Sequence, residues 1–296
     1  MLQFLQLTVS GAAIGCIYAL LALGFVLIYK ATETVNFAQG DLMMVGGFLG
    51  LAAMTIIGMP FWLAFLATVV AMALVGMGVE RVVLRPLLGQ PAFTVVMMTI
   101  GIGYLARGLV TMIPYWGTET HTLPVPFKDE VIWLGGEGKG LVMSVEHLVI
   151  ILATVVLVAL LYVFFRYTKL GIAMQATSQN QLAAFYMGIP VRRVNMLIWG
   201  LSAAICGVAG LLLAPITFVH ANMGFVGLKA FPAAVVGGFG SIPGALVGGL
   251  VIGIVESLSG FYLPEGFKDI AAYVVVLIML VVKPNGLFGD NLTKKV

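Results

Sequence analysis

No charged side chain interrupts residues 7–29. At about 1.5 Å per residue, a helix of that length crosses a hydrocarbon core of about 30 Å. Similar apolar runs recur at 61–78, 93–113, 147–165, 195–215, 243–259 and 270–282, each with at most one Asp, Glu, Lys or Arg. Such runs leave one class of fold, because lipid offers no partner to a bare backbone amide and each crossing must therefore be helical. Composition agrees: 61% of the 296 residues are apolar and 9% charged, beyond what a water-soluble domain of this length sustains. We read residues 1–296 as a single all-α polytopic membrane domain of about eight or nine spanning or partly spanning helices. The opening MLQFLQLTVS has no basic n-region and no clear cleavage site, so it reads as the start of the first span. Cys16 and Cys206 lie alone inside apolar runs and read as small packing residues.

One stretch breaks the pattern. Residues 166–194 are polar and carry Arg166, Lys169, Arg192 and Arg193 with no Asp or Glu, which places the loop on the cytoplasmic side. Residues 114–146 hold Glu119, Asp129, Glu130, Glu137 and Glu146 against Lys128 and Lys139, so this loop belongs outside. The layout puts the first residue out and the last in. Ten of the fifteen basic residues then lie inside: Lys30, Arg81, Arg85, the four of the loop, and Lys283, Lys294 and Lys295. Within 166–194, Thr177-Ser178 offers capping hydroxyls, Leu182, Phe185, Tyr186 and Ile189 recur at helical spacing, and Gly188 with Pro190 closes the segment. The spacing predicts one short amphipathic helix whose aromatic-aliphatic ridge either docks into a groove of another protein or rests on lipid.

Several familiar chemistries are missing from the text. Gly138-Lys139-Gly140 lacks the hydroxyl of a phosphate-binding loop and has Trp133 in place of its first glycine, so the chain has no ATPase site of that kind. His121, His147 and His220 lack zinc-ligand spacing, and no serine sits in a nucleophile elbow. The polar groups that remain lie close to or within spans. Asn36, Gln39 and Asp41 precede the run 42–57, where a helix is expected to start late or break near Gly40, as at the midplane sites of transporters. The alternative is an ordinary polar helix entrance. Arg107 and Glu256 are isolated charges inside spans, each a candidate for the translocation path or for a structural ion pair.

Glycines mark close helix approach. Gly240, Gly244 and Gly248 recur every fourth residue, as do Gly249 and Gly253, and Gly46-Gly47 and Gly237-Gly238 belong to the same class of small residues that let helices meet in lipid. Ser241-Ile242-Pro243 divides the last third into 229–239, short for a span, and 243–259. Val45-Gly46-Gly47-Phe48 recurs as Val236-Gly237-Gly238-Phe239 on segments that cross in opposite directions, which an inverted repeat or chance would produce.

These motifs resemble a known family along nearly the whole chain. Asn36-Phe37-Ala38-Gln39-Gly40-Asp41 with Gly46-Gly47, Glu80-Arg81-Val82-Val83-Leu84-Arg85-Pro86, the stretch 171–189, Lys229-Ala230-Phe231 with the glycine-rich run 237–244, and Lys268-Asp269 with Pro284-Asn285-Gly286 are similar to the permeases of branched-chain amino acid ABC transporters. The resemblance implies a type II-like importer permease: a periplasmic binding protein delivers hydrophobic amino acids, this chain pairs with a second permease, and two cytoplasmic subunits hold ATP and Mg. It implies no cofactor on this chain, no enzymatic activity of its own and no nucleic-acid partner. It also makes the loop helix an ATPase-coupling helix, carried on Ala176, Ala183, Gly188 and Ile189 beside Leu182, Phe185 and Tyr186. The sequence departs from the family at Gln175, where arginine is usual, at Gln179 and Asn180, where acidic residues are common, and at Gln39, where histidine often sits. Urea or a short amide is the sister substrate, and a self-sufficient secondary transporter or channel is the competing class.

Overall fold

The computed structural model describes residues 2–87, 89–114, 116–117, 119–134 and 141–289. Glu137, the Gly138-Lys139-Gly140 text, Lys294 and Lys295 lie outside the described residues. The helices are α1 (Leu2–Thr32), α2 (Gln39–Thr55), α3 (Phe61–Val79), α4 (Ala92–Met112), α5 (Val145–Tyr167), α6 (Lys169–Gln179), α7 (Gln181–Tyr186), α8 (Val191–Thr217), α9 (Val226–Gly237), α10 (Ile242–Tyr262) and α11 (Phe267–Val282). A hairpin of β1 (Val131–Leu134) and β2 (Leu141–Ser144), paired Val131 to Ser144, precedes α5. Six of the described helices are long and apolar enough to span a membrane, while α2, α9 and α11 are shorter.

Burial sorts these helices into an inner and an outer set. Both α1 and α8 are enclosed by protein along most of their length, whereas α3, α4 and α5 turn most of their surface outward. Trp62, Leu66, Leu105, Leu152 and Leu160 are each more than half exposed, an apolar surface that lipid covers and water would not tolerate. The protein is a multi-pass membrane protein.

Glycine sets the spacing of the inner helices. A Cβ on Gly15 or Gly253 would strike the facing backbone of α10 or α1, and one on Gly249 would strike Ala19, so α1 and α10 cross in near backbone contact and in opposite directions. Gly244 and Gly248 meet Gly237 and Ala233 of α9 in the same way, and Gly46 meets Gly207 of α8. Three members of the expected set fall outside this role. Gly240 sits in the turn before α10 with open space around it, and Gly238 is a left-handed residue (φ 99°) that ends α9. Gly47 would meet only ordinary contacts.

The helices pack as two related halves. α1 lies on α10 as α8 lies on α3; α9 lies on α1 as α2 lies on α8; and α2 touches α4 as α9 touches α11. Gly40 at the start of α2 abuts Gly227 at the start of α9, so the short helices meet N-terminus to N-terminus and the halves run in opposite senses. The Val-Gly-Gly-Phe echo does not mark this symmetry: with Gly40 facing Gly227, Val45 is five residues past the contact and Val236 nine. One departure from symmetry matters. α11 packs on α10, but α4 has no comparable packing on α3, which leaves space beside α2 and α9.

The polar segment 166–194 differs from the single helix expected. It folds as α6 and α7, broken at Asn180, whose extended backbone lets its side chain accept from Ala183 N at 2.9 Å. The hydroxyls of Thr177 and Ser178 bond back to carbonyls inside α6 and cap nothing, while Thr168 caps α6 by accepting from Gly171 N.

Gly253→Ala is expected to cost about 1–3 kcal/mol by overpacking the α1–α10 crossing. Gly78→Ala, on α3 with nothing within 4 Å, should be neutral or stabilising by up to about 1 kcal/mol. Denaturant titration of the purified protein in micelles measures both, and equal shifts would contradict the crossing.

Candidate functional site

A helix that begins inside a membrane exposes its first amides to lipid unless something else bonds them. Here α1 ends at Thr32 and α2 starts at Gln39, which packs back beside Gly24, so residues 33–38 run irregularly into the protein. Phe37 N donates to Thr99 Oγ1 of α4 (3.1 Å), Ala38 N to Asn36 Oδ1 (3.1 Å) and Gln39 N to Asn36 O (3.3 Å). Asn36 Nδ2 donates to Gln39 Oε1 (3.0 Å), Gln39 Nε2 donates to Ser202 Oγ of α8 (3.0 Å), and Ser202 donates on to Gly24 O (3.1 Å). All three side chains are fully buried. Asn36 and Gln39 therefore brace the helix break and line no open space.

Asp41, one turn into α2, does face an opening. Its carboxylate lies in a slot between Gly103 of α4 and Gly224, where a Cβ at either glycine would press on it. Arg107 Nη2 donates to Asp41 Oδ1 at 2.7 Å. The guanidinium lies 4.3 Å from the Phe225 ring centre and 5.7 Å from that of Tyr104, and its Nε is buried with no partner. This pair borders a cavity of about 210 Å³. Phe25, Phe37, Ile100, Phe225 and Phe231 form its apolar wall, and Gly40, Gly224 and Gly227 bring bare backbone to it. The cavity fills the space between α2, α4 and α9, where the N-termini of two of the shorter helices converge.

Glu256 does not join this site. Its Oε1 accepts from Lys229 Nζ (2.8 Å), its other oxygen accepts from the Tyr18 hydroxyl, and Lys229 also bonds Asp269 Oδ1 at 2.7 Å. The cluster pins α1, α9, α10 and α11 together, and every carboxylate in it is paired. Sequence reasoning thus grouped five polar residues that the fold divides into a brace, a cavity wall and a pin. It missed Thr99, Ser202, Gly103 and Gly224, and it had Lys229 and Asp269 as motif residues without their bond to each other or to Glu256.

The second feature is on α7. Leu182, Phe185 and Tyr186 are 65%, 65% and 77% exposed, joined by Met187 at 83%, while Ala184 faces inward. Ala183 and Gly188 are exposed, Ala176 and Ile189 partly buried, and Gly188 (φ 84°) closes α7. Gln181 Nε2 donates to Ala31 O, tying α7 to the last turn of α1.

A family model described as branched-chain amino acid transport system, permease component, matches residues 7–283. The chain is 33% identical over 307 residues to the high-affinity branched-chain amino acid transport system permease protein LivH of Escherichia coli K12, covering 100% of this chain and 98% of the relative. It is 29% identical over 304 residues to BraD, a permease protein of the same kind of system in Pseudomonas aeruginosa (99% and 98% covered). It is also 32% identical over 289 residues to a probable LivH of Methanocaldococcus jannaschii (93% and 89% covered). No solved structure matches the chain significantly.

Gln39→Ala and Ser202→Ala should each cost about 1–3 kcal/mol through the partner left unbonded. A double-mutant cycle in the same denaturation assay should show coupling, and strict additivity would remove the brace.

Proposed function

This chain belongs to the branched-chain amino acid transport permease family, and on that premise we propose that it is the membrane subunit of an importer for hydrophobic amino acids. The observation that carries the reading is the pairing of a cavity at two helix N-termini, lined in part by Phe25 of α1, with an exposed apolar ridge tied to the last turn of the same helix. In this reading a binding protein outside delivers solute, this chain and a second permease enclose it, and two ATPase subunits inside receive the Leu182, Phe185, Tyr186 and Met187 ridge in a groove. ATP and Mg stay on those subunits. The chain sits in the inner membrane with α6 and α7 in the cytoplasm, an orientation supported by the basic residues Arg166, Lys169, Arg192 and Arg193 around them.

Force on the ridge would pass through the Gln181–Ala31 bond to α1, and from Gly24 through Ser202 and Gln39 to the start of α2. A rigid-body shift of α7 would then move Asp41 relative to Arg107. A secondary transporter routed through Asp41, Arg107 and Glu256 finds less support, because Glu256 is bonded to Lys229 and Tyr18 apart from the cavity.

Leu182→Asp or Phe185→Asp should abolish co-purification with the ATPase subunits while leaving membrane insertion intact, since both side chains are exposed. Pull-down from detergent-solubilised membranes checks this; an intact complex in both variants would count against docking through the ridge.

A further inference from the structure

We infer that the cavity between α2, α4 and α9 holds a free α-amino acid as its zwitterion, with Asp41 taking the ammonium, Arg107 the carboxylate and the aromatic wall the side chain. The inference rests on the importer reading and adds to it the substrate chemistry of one site.

Asp41 and Arg107 place opposite charges 2.7 Å apart on a wall that is otherwise uncharged. A purely structural pair has no need of a cavity, and the Lys229–Glu256–Tyr18 cluster shows how this protein builds one without it. The pair is also only half engaged. It uses one carboxylate oxygen and Nη2, and the Arg107 side chain keeps 19% of its surface open. A carboxylate entering the cavity would meet that open part of the guanidinium in a charge-assisted bond.

Both charged groups are held in place, Asp41 by the glycine slot and Arg107 by Phe225 and Tyr104, so little ordering remains to be done on binding. The volume, about 210 Å³, lies below the range of about 300–1,000 Å³ typical of drug-sized ligand pockets, as a small solute requires. Urea or a neutral amide lacks charged ends and would leave the two side chains bound to each other. A zwitterion replaces each partner with one of the same sign.

The test uses the complete importer in proteoliposomes, with its permease partner, ATPases and binding protein, and radiolabelled L-leucine as probe. Leucine taken up per ATP hydrolysed should fall by about tenfold or more in Asp41→Asn and in Arg107→Gln, because each strands a charge and loses a ligand contact. The double variant Asp41→Asn/Arg107→Gln should stay as low. Recovery of the double variant to near the wild-type ratio, the signature of a pair that serves only folding, would overturn the inference, as would normal coupling in either single variant.

A measurement on the unmutated complex without its binding protein guards against misfolded variants. Site-resolved phenylglyoxal labelling of Arg107 should slow severalfold with L-leucine and stay unchanged with isopentylamine, which lacks the carboxylate; no protection by leucine overturns the assignment. Should the wild-type complex take up no leucine at all, the importer reading itself falls, a result distinct from loss of the zwitterion site alone.

Discussion

The architecture depends on how a helix can begin in the middle of a membrane. Water is not there to bond the first amides of α2, and leaving several buried amides bare would cost more than a typical domain has to spare. Thr99 and Asn36 bond the amides of Phe37 and Ala38 just before α2, the Asn36 carbonyl accepts from Gln39 N, and Gln39 with Ser202 ties the break to α8. Once the break exists, Asp41 falls in the first turn of α2 with its charge against the positive end of the helix, beside the cavity.

Glycine contributes the complementary half. Lipid supplies no hydrophobic drive between helices, so the attraction between α1 and α10, or between α2 and α8, depends on how closely backbones approach. Bare Cα atoms at Gly15, Gly253, Gly46 and Gly207 provide that closeness. α3 shares it, since a Cβ on Gly76 would strike the Trp199 backbone of α8, whereas α4 packs lightly and has no comparable packing on α3.

Much of this was legible in the chain. Hydropathy marked the long spans within a few residues of their ends, and the polar text before residue 42 marked a broken helix, because burial of Asn36 and Gln39 in lipid demands a special local structure. What the text hid was partnership. Ser202 and Thr99 look like ordinary small residues in apolar runs, and Lys229 is indistinguishable from a surface cation until Glu256 and Asp269 are seen beside it. Gly240 and Gly244 share one spacing, yet the Ser241 cap on α10 leaves the first outside the helix and the second inside. Asn180 was hidden for a related reason: an amide side chain amid Ser and Gln gives no sign that it, and not the preceding hydroxyls, starts a helix.

The abutment of Gly40 on Gly227 has a geometric meaning for the cavity. Because α1 lies on α10 and α2 lies on α8 in backbone contact as well, the halves are interlaced and neither start can shift without those crossings. With no side chain between the two helix starts, any change in their separation would reshape the chamber beside them directly.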